Sequence, residues 1–315
     1  MRNINSPEIY RGMGFLNESS QQALLDLHVG IAGTGGAGYL VAQELAKAGV
    51  QNFHVADPEA FDYTNAGRVL GAGDSTVGKN KAEVLQEYLL NNQNDANVRI
   101  FKDGVTTDNL EEFMQGVDVV LDATELSMPE LGTMIARAAR KKTIPVVNVE
   151  YVGFAGQGTV FHPNSKTTFE QFMGIKGGNN APLDEVKDQS LDPSRYLAYV
   201  PPYGDWKTFA AVTDKEQHVP LPSHIIGASA AASIAVAEFM KIARVRANTR
   251  TLQPTYAPAV RWYDAYTNKS GHTRHPRLSF VHHLGIMGTR NLLGLNEQAS
   301  YTSKERAARG DVDLD

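Results

Sequence analysis

Residues 28–38, His28-Val29-Gly30-Ile31-Ala32-Gly33-Thr34-Gly35-Gly36-Ala37-Gly38, decide the fold. The apolar run 28–32 reads as a short buried strand. After the glycines, Tyr39 to Ala48 carries apolar residues at helical spacing and stops at Gly49. A G-x-G-x-x-G spacing has physical meaning in this context of strand, tight turn and helix. The backbone N–H groups that open such a helix face an anion, and the missing side chains let a phosphate come close. A second apolar run, 53–56, ends at Asp57, about twenty residues beyond the glycines, where a carboxylate reaches ribose hydroxyls. The pattern implies a bound nucleotide.

Working outward, the first half alternates strands and helices. Strands are expected at 28–32, 52–56, 98–101, 117–121 and 144–149, and helices near 36–48, 80–91, 107–115 and 127–141. Ser127 and Glu130 stand at capping-box spacing for the last of these. Such alternation predicts an α/β fold of Rossmann type, a mostly parallel sheet with helices on both faces. Gly33, Asp57 and Asp122 then fall at the carboxyl ends of strands, where ligands bind. Beyond Tyr151 the pattern changes: 152–161 reads as a strand, and 162–222 is rich in Pro, Gly and Asn with little periodicity. A stretch of that length without regular structure carries function or covers a site. A helix follows from about Pro222 to Ala243. The expected organisation is a core over 1–160, and over 161–315 substrate-facing loops, a packing helix and a basic extension, the whole forming one continuous domain.

Bulk properties narrow the chemistry. The 315 residues are 42% hydrophobic and 21% charged, with a net charge of −5 that favours no particular partner. There is no cysteine, which excludes disulfides, thiolate metal sites and a cysteine nucleophile. The N-terminus has no signal-peptide core. The Ala/Ser-rich run 225–240 is short for a bilayer span. Both point to a cytoplasmic protein that meets no membrane. Between Lys241 and Arg290 nine cations face a single acid, Asp264, and the tail after Gly310 is acidic.

Three further features separate this glycine turn from a redox dinucleotide site. The doubled Gly35-Gly36 opens extra room. The segment after Asp57 contains Asn65-x-x-Arg68 and Val77-Gly78-x-x-Lys81, and the run 117–125 ends in Asp122-Ala123-Thr124-Glu125. Positive charge around phosphate oxygens serves adenylyl or phosphoryl transfer, whereas hydride transfer needs none of it. Arginine suits bidentate phosphate contact, and a strand-end carboxylate suits Mg²⁺.

With these motifs in place, residues 8–160 resemble the ThiF/MoeB family, the adenylating domain related to ubiquitin-activating enzymes. Tyr10-Arg11 and Gln22-x-x-Leu25 match the family's entrance helix. The resemblance implies that Gly33, Gly35, Gly36 and Gly38 cradle ATP, with Asp57 on the ribose and Asn65 and Asp122 beside the nucleotide. It implies that Asn65, Arg68 and Lys81 handle the triphosphate, and that Arg11 reaches into the partner subunit of a homodimer. Glu125 occupies the position of an aspartate that holds Mg²⁺ in the family, so its arm is one methylene longer. The implied reaction is attack of a peptide or small-protein carboxylate on the α-phosphate. Without cysteine, the acyl-adenylate passes to a non-cysteine nucleophile such as an amine or amide.

Plainer readings stand beside these. The turn alone fits an NAD-dependent oxidoreductase. Arg68, Lys81 and Arg11 fit surface ion pairs. Asp122 fits a cap for the following helix, and Glu125 shares that ambiguity. A nucleotide-binding scaffold or partner subunit with impaired catalysis is another outcome, motivated by Glu125 and the missing cysteine. His272, His275, His282 and His283 have no ligand spacing, so a structural role is favoured over a metal site. The basic stretch with Trp262, Tyr263 and Tyr266 reads as a solvated or dimer surface before a nucleic-acid one, which leaves tRNA as a minor alternative.

Overall fold

A computed structural model describes residues 4–12, 14–93, 95–189, 191–207, 222–249 and 252–296. Arg250 and the acidic tail lie outside the described residues, as does most of the last third of 162–222. The glycine turn follows strand β1 (His28–Ala32) and opens helix α2 (Gly36–Lys47), which α1 (Glu18–Leu25) precedes. Next come β2 (Asn52–Ala56), α3 (Lys81–Asn92), β3 (Asn97–Phe101), a single turn α4 (Leu110–Phe113), β4 (Val119–Asp122), α5 (Pro129–Lys141) and β5 (Val146–Val152). All these strands pair in parallel, in the order β3-β2-β1-β4-β5. The sheet then continues antiparallel through β6 (Ala155–Phe161), β7 (Val260–Asp264) and β8 (Lys269–Thr273).

Several boundaries differ from the sequence expectation for local reasons. β5 runs on to Val152 because β6 folds back on it, and residues 153–154 form the turn rather than the start of a strand. The helix expected at 107–115 shrinks to α4, since Thr106 and Asn109 bond each other's backbone and hold a turn ahead of it. The Ser127/Glu130 capping box is not formed. Pro129 takes the first helical position of α5, behind Met128, and the Ser127 hydroxyl donates instead to Glu125 at 3.1 Å. Within 162–207 lie three short helices, α6 (Phe169–Met173), α7 (Leu183–Lys187) and α8 (Pro193–Tyr196).

Helices cover both faces. One core joins α2, α3 and the long helix α9 (Ile225–Arg246) against the odd side of β1, β4 and β5. The other joins α5, α6, α8 and helix α10 (Pro276–Leu292) against the opposite side. At 22 residues α9 is longer than its apolar run suggested and passes, by length and hydropathy, for a bilayer span. Its small residues Ala228, Ala231, Ala232 and Ala235 are buried and let it pack directly on α2, β5 and β6. The backbone approach is close: a Cβ at Gly156 of β6 would collide with the Ala231 amide. The basic stretch 241–290 is correspondingly not all surface. Lys241 is buried against Glu238 at 2.6 Å, and Glu238 also accepts from the Thr255 amide and hydroxyl at 2.7 and 2.9 Å. Arg246 pairs with Asp118 at 2.8 Å.

On the antiparallel side, Asp264 is fully buried at the end of β7. It accepts from the Tyr199 hydroxyl at 2.5 Å, the Tyr203 hydroxyl at 3.3 Å and the amides of Tyr266 and Thr267.

Candidate active site

The ends of three strands are level. Ala32 of β1 pairs with Ala56 of β2 on one side and with Asp122 of β4 on the other. The chain leaves β1 through Gly33, whose φ of 90° belongs to the left-handed region, and whose Cβ would collide with the Ala123 carbonyl. Gly38 has no room either, because a Cβ there would strike the Gly33 carbonyl. At Gly36 a Cβ would collide with the Tyr151 hydroxyl and come within 3.2 Å of the Arg68 carbonyl. Gly35 differs: a Cβ built there meets nothing, so the N-terminus of α2 faces open space. Three glycines thus serve close packing and one faces the ligand side. That N-terminus presents unpaired amides and the positive end of the helix dipole.

Asp57 braces this turn. One carboxylate oxygen accepts from the Thr34 amide and hydroxyl at 2.6 and 2.9 Å, and the other from the Glu59 amide at 2.9 Å. Its remaining acceptor capacity is what a ribose would meet. Lys81 is brought close by Asn80, whose side chain bonds the Asp57 carbonyl at 3.0 Å while capping α3. Lys81 is buried and ion-paired with Glu59, so its ammonium is already partnered. Asn65 sits in a turn capped by Asp62, with its Oδ1 buried and free of hydrogen-bond partners. Arg68 donates to the Thr64 carbonyl at 2.8 Å and bonds the Tyr151 hydroxyl. Burial raises that phenol, and the guanidinium opposes the rise.

Asp122 is buried and accepts from the Thr124 amide and hydroxyl, at 3.2 and 2.7 Å, and from Asn148 at 3.4 Å. It therefore caps the turn that leads away from β4, and not helix α5, correcting the capping alternative. Burial holds its carboxyl above the ordinary carboxylate range. Glu125 is exposed beyond that turn, close enough for its charge to act on Tyr151. Among the described residues no three carboxylates or histidines form a ready metal cage. Mg²⁺ takes one or two carboxylates together with nucleotide phosphates. The open helix N-terminus, the orphan Asn65 Oδ1 and the neighbouring Arg68 fit a nucleotide triphosphate with such an ion.

Arg11 does not join this group. It lies two residues from Ile9, which approaches Gly49 at the far end of α2. α2 spans 12 residues, about 18 Å at 1.5 Å per residue.

Sequence reasoning missed Asn148, Glu150 and Tyr151. β5 extends past β4, since Asp122 pairs with Asn148. Tyr151 faces α2, while Asn148 and Glu150 face the opposite side with Asp122. Glu150 bonds Asn148, and burial followed by the nearby Asp122 charge lifts its carboxyl well above the usual range. The signal was available: polar residues two apart within 146–152 are unusual for a strand buried on both faces.

The chain is similar to several known proteins. It is 30% identical over 157 residues to the tRNA threonylcarbamoyladenosine dehydratase of Haemophilus influenzae, covering 49% of this chain and 58% of the relative. It is 32% identical over 143 residues to the sulfur carrier protein ThiS adenylyltransferase of Escherichia coli, covering 45% and 56%. The matches thus span little more than half the length of these relatives. The crystal structure of E. coli MccB with ATP shares the fold, with a TM-score of 0.61 at 16% identity over 86% of this chain and 72% of that one. A family model described as the ThiF family matches residues 9–279, and the chain belongs to that family.

Proposed function

We propose that this protein activates a carboxylate as an acyl-adenylate, using ATP and Mg²⁺, and hands the acyl group to a nucleophile other than cysteine. The observation that carries the reading is the α2 N-terminus, open at Gly35, with Arg68 beside it held by Thr64 and Tyr151. When bound, ATP supplies the adenylyl group and Mg²⁺ supplies positive charge. The chain's own part is electrostatic and positional. The α2 amides and Arg68 stabilise charge on phosphate oxygens, preorganised by packing. Asp57 orients the ribose, and Lys81 acts from its pair with Glu59. Glu125 and Asn65 are the ligands available to Mg²⁺ and its water. Residues 1–160 carry the nucleotide, and 161–315 form the substrate side. Arg11, remote from its own chain's turn, acts in a homodimer across the interface. The setting is cytoplasmic.

The ThiS adenylyltransferase among the relatives and the MccB structures solved with MccA favour a peptide or small-protein carboxylate as substrate. The dehydratase relatives name a tRNA, but the burial of Lys241 and the pairing of Arg246 weaken a nucleic-acid surface here.

The test is ATP–pyrophosphate exchange with a panel of peptide and small-protein C-terminal carboxylates. Exchange that depends on one carboxylate is expected, and Arg68→Ala should lower it by roughly 10²–10³-fold. ATP binding without exchange across the panel would favour the impaired scaffold. NADH binding in place of ATP would overturn the reading.

A further inference from the structure

The reaction proposed above leaves one group at the site without a task. Glu150 stands beyond the last residue of β4, on the face opposite Tyr151. The residue is partly exposed, yet its Oε1 is buried with no hydrogen-bond partner. Tyr196 lies near enough to feel the Glu150 charge, yet among the described residues no donor reaches that oxygen. Asn148 donates to Asp122 at 3.4 Å and lies beside Glu150. Gln157, the cross-strand neighbour of Glu150, is committed to the loop after α8: its amide donates to the Tyr196 carbonyl at 2.7 Å, and its oxygen accepts from the Ala198 amide at 2.8 Å. Two carboxyls therefore stand beside one side-chain amide at the strand ends, and such an arrangement is costly until a proton donor or cation joins it.

Resting on the adenylation reading, we propose that Glu150 receives the acceptor nucleophile, that this nucleophile is a nitrogen bearing N–H groups, and that Glu150 takes its proton. A nitrogen suits this place because it brings the N–H donor that Glu150 Oε1 lacks, and the cysteine-free sequence supplies no internal thiol. In the step, the nitrogen lone pair forms the C–N bond to the acyl carbon. The electron pair of the acyl C–O bond leaves with AMP. One N–H proton passes to the Glu150 carboxylate and then to water. The two half-reactions are thereby divided between faces of one strand: Tyr151 and Arg68 toward the phosphates, Glu150 toward the acceptor.

The test uses the full chain and the carboxylate that supports exchange. Enzyme-bound acyl-adenylate is chased with ethylamine, ethanol or hydroxylamine, the last being reactive enough to need no base. Glu150→Gln should slow transfer to ethylamine by roughly 10²-fold, with hydroxylamine trapping reduced less than threefold. Glu150→Asp, which keeps a proton acceptor, should recover part of the loss, and it carries the test if Glu150→Gln does not fold. Equal losses with ethylamine and hydroxylamine, or no loss, overturn the proposal while exchange leaves adenylation standing. Wild-type transfer to ethanol in preference to ethylamine overturns the nitrogen class. Absence of wild-type exchange with every carboxylate overturns the adenylation reading itself.

Discussion

The parallel and antiparallel halves of the sheet build their polar centres in different ways. In the parallel half, Asp57 and Asp122 each satisfy backbone within a turn of their own strand end, and their further partners, Thr34 and Asn148, lie 23 and 26 residues away. In the antiparallel half, Asp264 gathers hydroxyls from Tyr199 and Tyr203, more than sixty residues earlier in the chain. The first arrangement leaves a helix N-terminus free for a ligand, whereas the second consumes its acceptors internally. One half is organised for chemistry and the other for support.

Three substitutions probe that division. Gly33→Ala should be the most damaging, since it combines a positive φ with a collision against the Ala123 backbone. A loss of about 3–5 kcal/mol of stability is expected, together with loss of nucleotide binding, read by chemical denaturation and ATP titration. A variant that melts and binds like the wild type would remove the close-packing account of the turn. Asp264→Asn should cost about 2 kcal/mol by withdrawing acceptor capacity from buried hydroxyls and amides, while exchange stays near wild type. If exchange falls with it, the two halves are coupled and the division fails.

Glu150 lies where the halves meet, and its effect is the smallest. Its folded-state carboxyl is raised above the ordinary 4.5, chiefly by burial. The native state therefore holds the proton more tightly than the unfolded chain, and stability declines as pH rises from that ordinary value through the folded one. Glu150→Gln should flatten the decline, raising the melting temperature at pH 8 more than at pH 5. Parallel melting curves for both proteins across that range would place the Asp122–Glu150 interaction elsewhere.

The contrast also explains what was legible in the sequence. Strand, glycine turn, helix and following acid are local patterns, so β1, α2, β2 and the positions of Gly33, Asp57, Arg68 and Lys81 could be read directly. The length of β5 could not, because it is set by the return of β6. For the same reason Glu150 and Tyr151 were overlooked. The division of labour among the glycines was hidden too: only the tertiary neighbours of Gly33, Gly36 and Gly38 distinguish them from Gly35. Lys241 looked like surface charge because its partner Glu238 and the Thr255 backbone meet it only once α9 is docked.

Helix α9 has a consequence for how the protein is made. Residues 28–56 and α2 form one side of the nucleotide site, yet a wall of their core is supplied by a helix that begins at Ile225. On the ribosome, β1 and α2 emerge long before that wall exists, so their apolar face waits uncovered while some 170 further residues are synthesised. The nucleotide-binding half cannot finish folding as an early, self-sufficient unit, and maturation of the site is tied to completion of nearly the whole chain.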